Sequence, residues 1–273
     1  MTYILNNTSS LNAAMEENYC AYFAYFARLP YLELREAPEI TLVMSKQTPM
    51  WNVVIRTHLV SDTAEANVEA TLAQFRALHL PLVWQVLPST QPPDFERFLD
   101  AHDFLLFEEE PHMVIEPSTH ALHIPNLPGF TIERVTDAAS FAQWHKATAA
   151  GFFATTPTLG QIYFDAYTLL GFDPEGPFLH YTGYMNGEPV TSSTLLFAGG
   201  IAGIYDVSTI PSARGKGFGT AITLAPLLEA QARSYRYVCL QATQMGLPIY
   251  QRIGFKEQFR ERKYLWRPDN VGE

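Results

Sequence analysis

Between residues 12 and 28, Tyr19, Tyr22, Phe23 and Phe26 recur at helical spacing on one stripe. The spacing predicts an amphipathic helix, which Pro30 ends, and the stripe reads as core. Residues 31–36, 40–45 and 51–59 are rich in β-branched and aromatic residues, with turn formers between them, and predict strands. Ser61 and Asp62 then offer an N-cap and Glu65 a capping-box partner, so a helix is expected over 61–79. Residues 82–87 read as a strand. Pro92 and Pro93 open a short helix through Ala101, and 104–107 and 113–116 read as two further strands.

The stretch EPSTHALHIPNLPGF, residues 116–130, carries no period and is rich in Pro, His and Asn. It predicts a linker between two domains, 1–120 and 128–273. Beyond it, a strand is expected at 131–134 and a mainly helical stretch from 137 to 170, broken near 155–157. Strands follow at 178–185, 188–197 and 202–208, the first two joined by the hairpin dipeptide Asn186-Gly187. A helix over 217–234, a strand over 237–242, a short helix over 247–252 and a strand over 260–266 complete the pattern. Part of it repeats. Val83–Val86, a short helix, Phe104 and Met113 parallel Val238–Gln241, a short helix, Phe255 and Tyr264, and a long helix precedes each set. The fold class predicted is α+β: two copies of one unit, each a mixed twisted β-sheet flanked by helices.

Hydrophobic residues make up 47% of the 273 and charged residues 17%, which suits a globular chain rather than a disordered one. No apolar run approaches the roughly 20 residues that span a bilayer, and MTYILNNTSS has no basic stretch leading into an apolar one, so neither a membrane anchor nor a signal peptide is expected. Two distant cysteines, Cys20 and Cys239, fit a reducing cytoplasm better than a disulfide scaffold. No His/Cys/Asp spacing predicts a metal site. Residues 1–210 carry 8 Lys+Arg against 23 Asp+Glu, a net −15, whereas 211–273 carry 10 against 5, a net +5. That balance excludes an extended nucleic-acid face, but it leaves the C-terminal segment able to hold a phosphorylated ligand.

Val207–Ala221, VSTIPSARGKGFGTA, takes a strand through a glycine-rich turn into a helix. Gly215, Gly217 and Gly219 remove side chains where a ligand must come close. Their amides, with those of Lys216, Phe218 and Thr220, lie at a helix N-terminus suited to a pyrophosphate. Arg214 and Lys216 add positive charge. The glycines alternate as GxGxG and no acid ends the next strand, unlike a dinucleotide fingerprint; the lysine of a P-loop is missing from Gly219-Thr220.

The run Arg214 to Gly219 resembles the Arg/Gln-x-x-Gly-x-Gly/Ala motif of the GNAT superfamily of acetyltransferases. About 20 residues later, VCLQATQMGLPIYQRIGF resembles that superfamily's next element, with Tyr250, Gly254 and Phe255 matching. The resemblance spans residues 203–266 and extends from Phe130 onward. The N-terminal half resembles a degenerate second copy, as in tandem-GNAT proteins: its strand at 51–59 runs into VSDTAEAN, with neither glycine nor arginine.

The resemblance implies an N-acetyltransferase that uses acetyl-CoA as co-substrate, without a metal. Backbone groups of Val207 and Thr209 would pair with the pantetheine arm, the amides of Gly215–Thr220 would hold the pyrophosphate, and Tyr250 would protonate the departing thiolate. Where many members carry a glutamate, eleven residues before Arg214, this chain has Gly203; Gln244 replaces an asparagine. The base therefore stays open between Asp206, Tyr205 and a water chain, and strand alternation sets Asp206 on the face opposite Gly203, Tyr205 and Val207. The implied acceptor is a small-molecule primary amine or a protein N-terminus. Its identity, the acyl chain length and the oligomeric state stay open, as does a rival role as a CoA-binding module without turnover.

Overall fold

The computed structural model describes residues 8–173 and 175–268. In chain order the elements are α1 (Thr8–Phe26), β1 (Leu32–Glu36), β2 (Ile40–Ser45), β3 (Val53–Thr57), α2 (Ser61–Leu78), β4 (Leu82–Val86), α3 (Glu96–Ala101), β5 (Leu105–Ile115), β6 (Phe130–Arg134), α4 (Ala138–Phe152), α5 (Pro157–Leu170), β7 (Phe178–Met185), β8 (Glu188–Ala198), β9 (Ile201–Thr209), α6 (Phe218–Ala232), β10 (Val238–Gln241), α7 (Leu247–Ile253) and β11 (Lys256–Trp266). The described residues form two compact units that no single cut separates: 8–19 with 112–258, and 20–111 with 259–268. The division at 1–120 and 128–273 expected from the linker differs from this, because α1 and β11 each contribute to both units.

In the smaller unit the strand order is β1-β2-β3-β4-β11. Strands β3 and β4 run parallel, and the other neighbours antiparallel. Helix α2 buries Ala64, Val68, Leu72 and Phe75 at helical spacing, in one core with Trp84, Phe95 and Phe104. The capping box expected from Asp62 and Glu65 does not form. Val60 is the N-cap, no side chain caps the helix, and Glu65 Oε1 lies 2.9 Å from His102 Nε2 instead. The two strands expected at 104–107 and 113–116 are one, β5. Pro111 falls just outside the ladder that pairs residues 112–115 with β10, so its missing N–H breaks no bond there.

In the larger unit the order is β5-β10-β9-β8-β7-β6, with β5 entering through residues 112–115 and β9–β10 the parallel pair. Asn186 and Gly187 both take positive φ in the β7–β8 hairpin, as a two-residue turn requires. Asp137 caps α4 in a reciprocal box with Ser140. Helix α6 contains Pro226, which cannot donate to the carbonyl of Ile222; the buried Ser193 hydroxyl donates to it instead over 3.0 Å. Cys239 is fully buried, which pushes its thiol up to about 12 and leaves it inert. Among the described residues no helix is long and apolar enough to cross a membrane.

Candidate active site

The site begins where β9 and β10 part. Their parallel ladder joins Ala202 to Val238 and Gly203 to Cys239. Strand β9 continues six residues past Gly203, to Thr209, while β10 ends two residues past Cys239. The two C-terminal ends therefore diverge, and β9 leads into the glycine turn. Gly215, Lys216 and Gly217 are exposed, whereas Phe218 is buried and stacked on Phe130 at 4.6 Å, which anchors the start of α6. Gly215 (φ +76°) and Gly217 (φ +86°) hold left-handed backbone, which a side chain would strain. A Cβ at Gly215 would meet nothing within 4 Å, so the turn is open to a ligand. A helix starting at Phe218 also leaves its first amides without helical acceptors, facing that opening.

Arg214 braces the turn. Its Nε donates to the carbonyl of Thr209 over 3.0 Å and its terminal nitrogen to that of Gly151, at the end of α4, over 2.9 Å. The Thr209 carbonyl, expected to pair with a ligand, is thus already engaged, while Val207 lies past the last β9–β10 pair. Lys216 Nζ donates to the Ser212 carbonyl. Helix α7 closes in from the other side: a Cβ at Gly219 would lie 3.3 Å from Ile249 Cδ1 and 3.8 Å from Thr209 Oγ1. Tyr250, next along α7, is buried beside Phe255, in the core cluster against which Val207 packs. Gln244 and Thr220 are exposed and half-buried respectively.

Asp206 is not where alternation sets it. Thr194 pairs with Tyr205 and Ser192 with Ser208, so Asp206 and Val207 together oppose Ser193 in a bulge, and Asp206 takes φ +51°. The bulge turns its carboxylate toward α5, where the Tyr163 and Tyr167 hydroxyls donate to its two oxygens, each over 3.1 Å. Burial, then the Asp206 charge, push the Tyr167 phenol well above its usual range, so it stays a donor. Beside them Ser208, Ser192 and Thr148 form a buried hydroxyl chain with 2.8 Å links. Tyr163 and Tyr167 are absent from the sequence expectation; the only sequence signal for them is their i, i+4 spacing, which puts both on one face of a helix.

No protein-family model and no curated protein matches the sequence. Solved structures do. A GCN5-related N-acetyltransferase from Kribbella flavida superposes with a TM-score of 0.67 at 18% identity, covering 94% of this chain and 96% of that one. A tandem GNAT protein from the clavulanic acid biosynthesis pathway gives 0.61 at 15%, covering 95% and 94%. A GCN5-related N-acetyltransferase from Sphaerobacter thermophilus gives 0.57 at 16%, covering 86% and 83%. The chain has the tandem GNAT fold.

The two GNAT-like copies differ at equivalent points. In the smaller unit the parallel pair β3–β4 also joins only Val53 to Val83 and Val54 to Trp84. There, however, the chain fills its own opening. Gln91 donates to the Thr57 carbonyl over 3.0 Å, Leu59 donates to the Gln91 carbonyl over 3.1 Å, and the Trp84 indole N–H reaches Thr57 Oγ1 at 2.9 Å. In the larger unit, Gly203 leaves room for α1: a Cβ there would stand 2.0 Å from Asn18 Oδ1. The missing glutamate is thus matched by a GNAT copy that uses the space for packing. Among the described residues no His/Cys/Asp/Glu group could hold a metal ion.

Proposed function

We propose that the chain is an acetyl-CoA-dependent N-acetyltransferase that acts on a primary amine by direct transfer. The observation that carries this reading is the open divergence of β9 and β10 ending on an uncovered glycine turn, which the smaller unit lacks. Amides at the start of α6, with Arg214 and Lys216 nearby, suit the pyrophosphate of CoA; the pantetheine arm lies along β9 toward Val207.

The acceptor ammonium first loses a proton, which passes to Asp206 and from there to solvent, or to solvent directly through a water chain. The free amine attacks the thioester carbonyl carbon, forming C–N. The tetrahedral intermediate gives its second N–H proton to solvent and collapses by breaking C–S; Tyr250 protonates the departing thiolate, and its phenolate regains a proton from solvent. A phenol, with a usual pKa near 10, stays protonated at neutral pH and can donate to a thiolate. The acceptor is a small-molecule amine or a protein N-terminus, and the setting a cytoplasm.

Calorimetric titration of acetyl-CoA tests this. The wild type should bind, and Gly217→Glu, folded by circular dichroism, should not, because the glutamate strains φ and brings a negative charge to the pyrophosphate. A folded wild type that binds no acetyl-CoA sinks the proposal. The filled space at Gly203 favours a second reading, a CoA-binding module, which binding without transfer to any amine would support.

A further inference from the structure

Charge changes sign at the end of β9. Residues 147–213, which supply the end of α4 and all of α5, β7, β8 and β9, contain no lysine or arginine, and five acids: Asp165, Asp173, Glu175, Glu188 and Asp206. The next residues are the cationic turn, Arg214 and Lys216. On the side of the β9 terminus that faces α5 the buried charge is the Asp206 carboxylate, while Lys146 pairs with Glu188 and Arg214 reaches from the turn to the Gly151 carbonyl.

That acidic side is also aromatic. Phe152 contacts Phe153 (6.2 Å between ring centroids), Phe153 contacts Tyr163 (5.1 Å), and Tyr163 donates to Asp206. Phe164 stacks on the His145 ring at 4.0 Å. Phe152 and Phe164 are 44% and 40% exposed, so contacting rings run from solvent to a buried carboxylate. Single exposed apolar residues are ordinary; here they lead to a charge held on a bulge with positive φ, which a merely structural strand end does not need.

We infer that the acceptor is a cationic primary amine on an aromatic or apolar body, without a carboxylate or phosphate of its own. Its ammonium turns toward Asp206 and its body lies on the rings of Phe152, Phe153 and Phe164. The inference rests on the acetyl-CoA reading above and names its substrate class. Ring faces attract both the cation and the apolar body. An acceptor whose own carboxylate faced Asp206 would be repelled by it.

The test follows thiol release from acetyl-CoA by the full chain with 2-phenylethylamine, phenylalanine and spermidine. kcat/KM for 2-phenylethylamine should exceed that for each of the others about tenfold or more. Phe164→Ala, at a position 40% exposed and with folding confirmed by circular dichroism, should raise the KM for 2-phenylethylamine about threefold or more with acetyl-CoA affinity unchanged. Equal or better use of phenylalanine or spermidine, no transfer to 2-phenylethylamine by a protein that binds acetyl-CoA, or an unchanged KM in the variant overturns the inference and leaves the acetyl-CoA reading intact. A wild type that does not bind acetyl-CoA overturns that reading first.

Discussion

The hydroxyl of Tyr205 on β9 donates to Oδ1 of Asn18 on α1 over 2.7 Å, across 187 positions of sequence. The Asn18 amide nitrogen donates in turn to the Ala198 carbonyl at 3.0 Å, and the side chain is fully buried. One N-terminal asparagine thus satisfies backbone and phenol groups at the root of the strand that carries the candidate site. It fits only because residue 203 is glycine.

Asn18→Ala should therefore destabilise the protein by about 2–4 kcal/mol, since buried partners are left without their bonds. Gly203→Ala should cost about 1–3 kcal/mol, because its Cβ would overlap Asn18 Oδ1 and the Tyr205 ring. The double variant should cost less than the sum, since the smaller residue at 18 relieves part of the overlap. Additive costs in urea unfolding would show that the two sites are not in competition.

Ser193 and Pro226 supply a second coupled pair. Ser193→Ala leaves the Ile222 carbonyl without its hydroxyl donor, at a cost of about 1–3 kcal/mol. In a Pro226→Ala background the helix provides its own donor to that carbonyl, so Ser193→Ala should cost less than half as much. Equal costs in both backgrounds would mean that the hydroxyl does not stand in for the missing amide.

These couplings mark the limit of what the sequence tells. Helical and alternating periodicities locate β2, α2 and the β7–β9 meander, because Phe75, Leu195 and their neighbours face one core each. The glycine turn was legible for a local reason: strand, turn and helix lie within 15 consecutive residues, 207–221. Asn18 was not, since its partners lie some 180 positions away. Asp206 was misplaced because alternation assumes a regular ladder, and a bulge opposite Ser193 breaks it. The strands expected at 104–107 and 113–116 merge in β5, because the position of Pro111 relative to the β10 ladder cannot be read from spacing.

Acid should loosen the larger unit through two histidines. Burial lowers His180 to about 3 and, with slight opposition from Asp165, His145 to about 4. Both stay neutral when folded, whereas the unfolded chain binds protons near pH 6.5. Their stabilising effect is whole above about pH 6.5 and is lost as pH falls from there toward 4. At pH 5.5 the two together should cost about 3 kcal/mol relative to pH 7.5, lowering Tm by roughly 5–10 °C. His145→Phe should remove about half of that dependence. A wild-type Tm that does not fall between pH 7.5 and 5.5 would count against it.

Tyr250→Phe separates the proton donor from the packing. The ring is 7% exposed and lies 6.0 Å from the Phe255 ring, edge to face, so phenylalanine keeps the contact and loses only the hydroxyl. If the hydroxyl protonates the thiolate, kcat should fall about 10²–10⁴-fold while acetyl-CoA affinity stays within about twofold of wild type. The high-pH limb of the rate profile, set by ionisation of the acid, should disappear with it. A Tyr250→Phe protein that turns over at the wild-type rate would assign the tyrosine to the core alone. The thiolate would then take its proton from solvent, reached through the opening where β9 and β10 part.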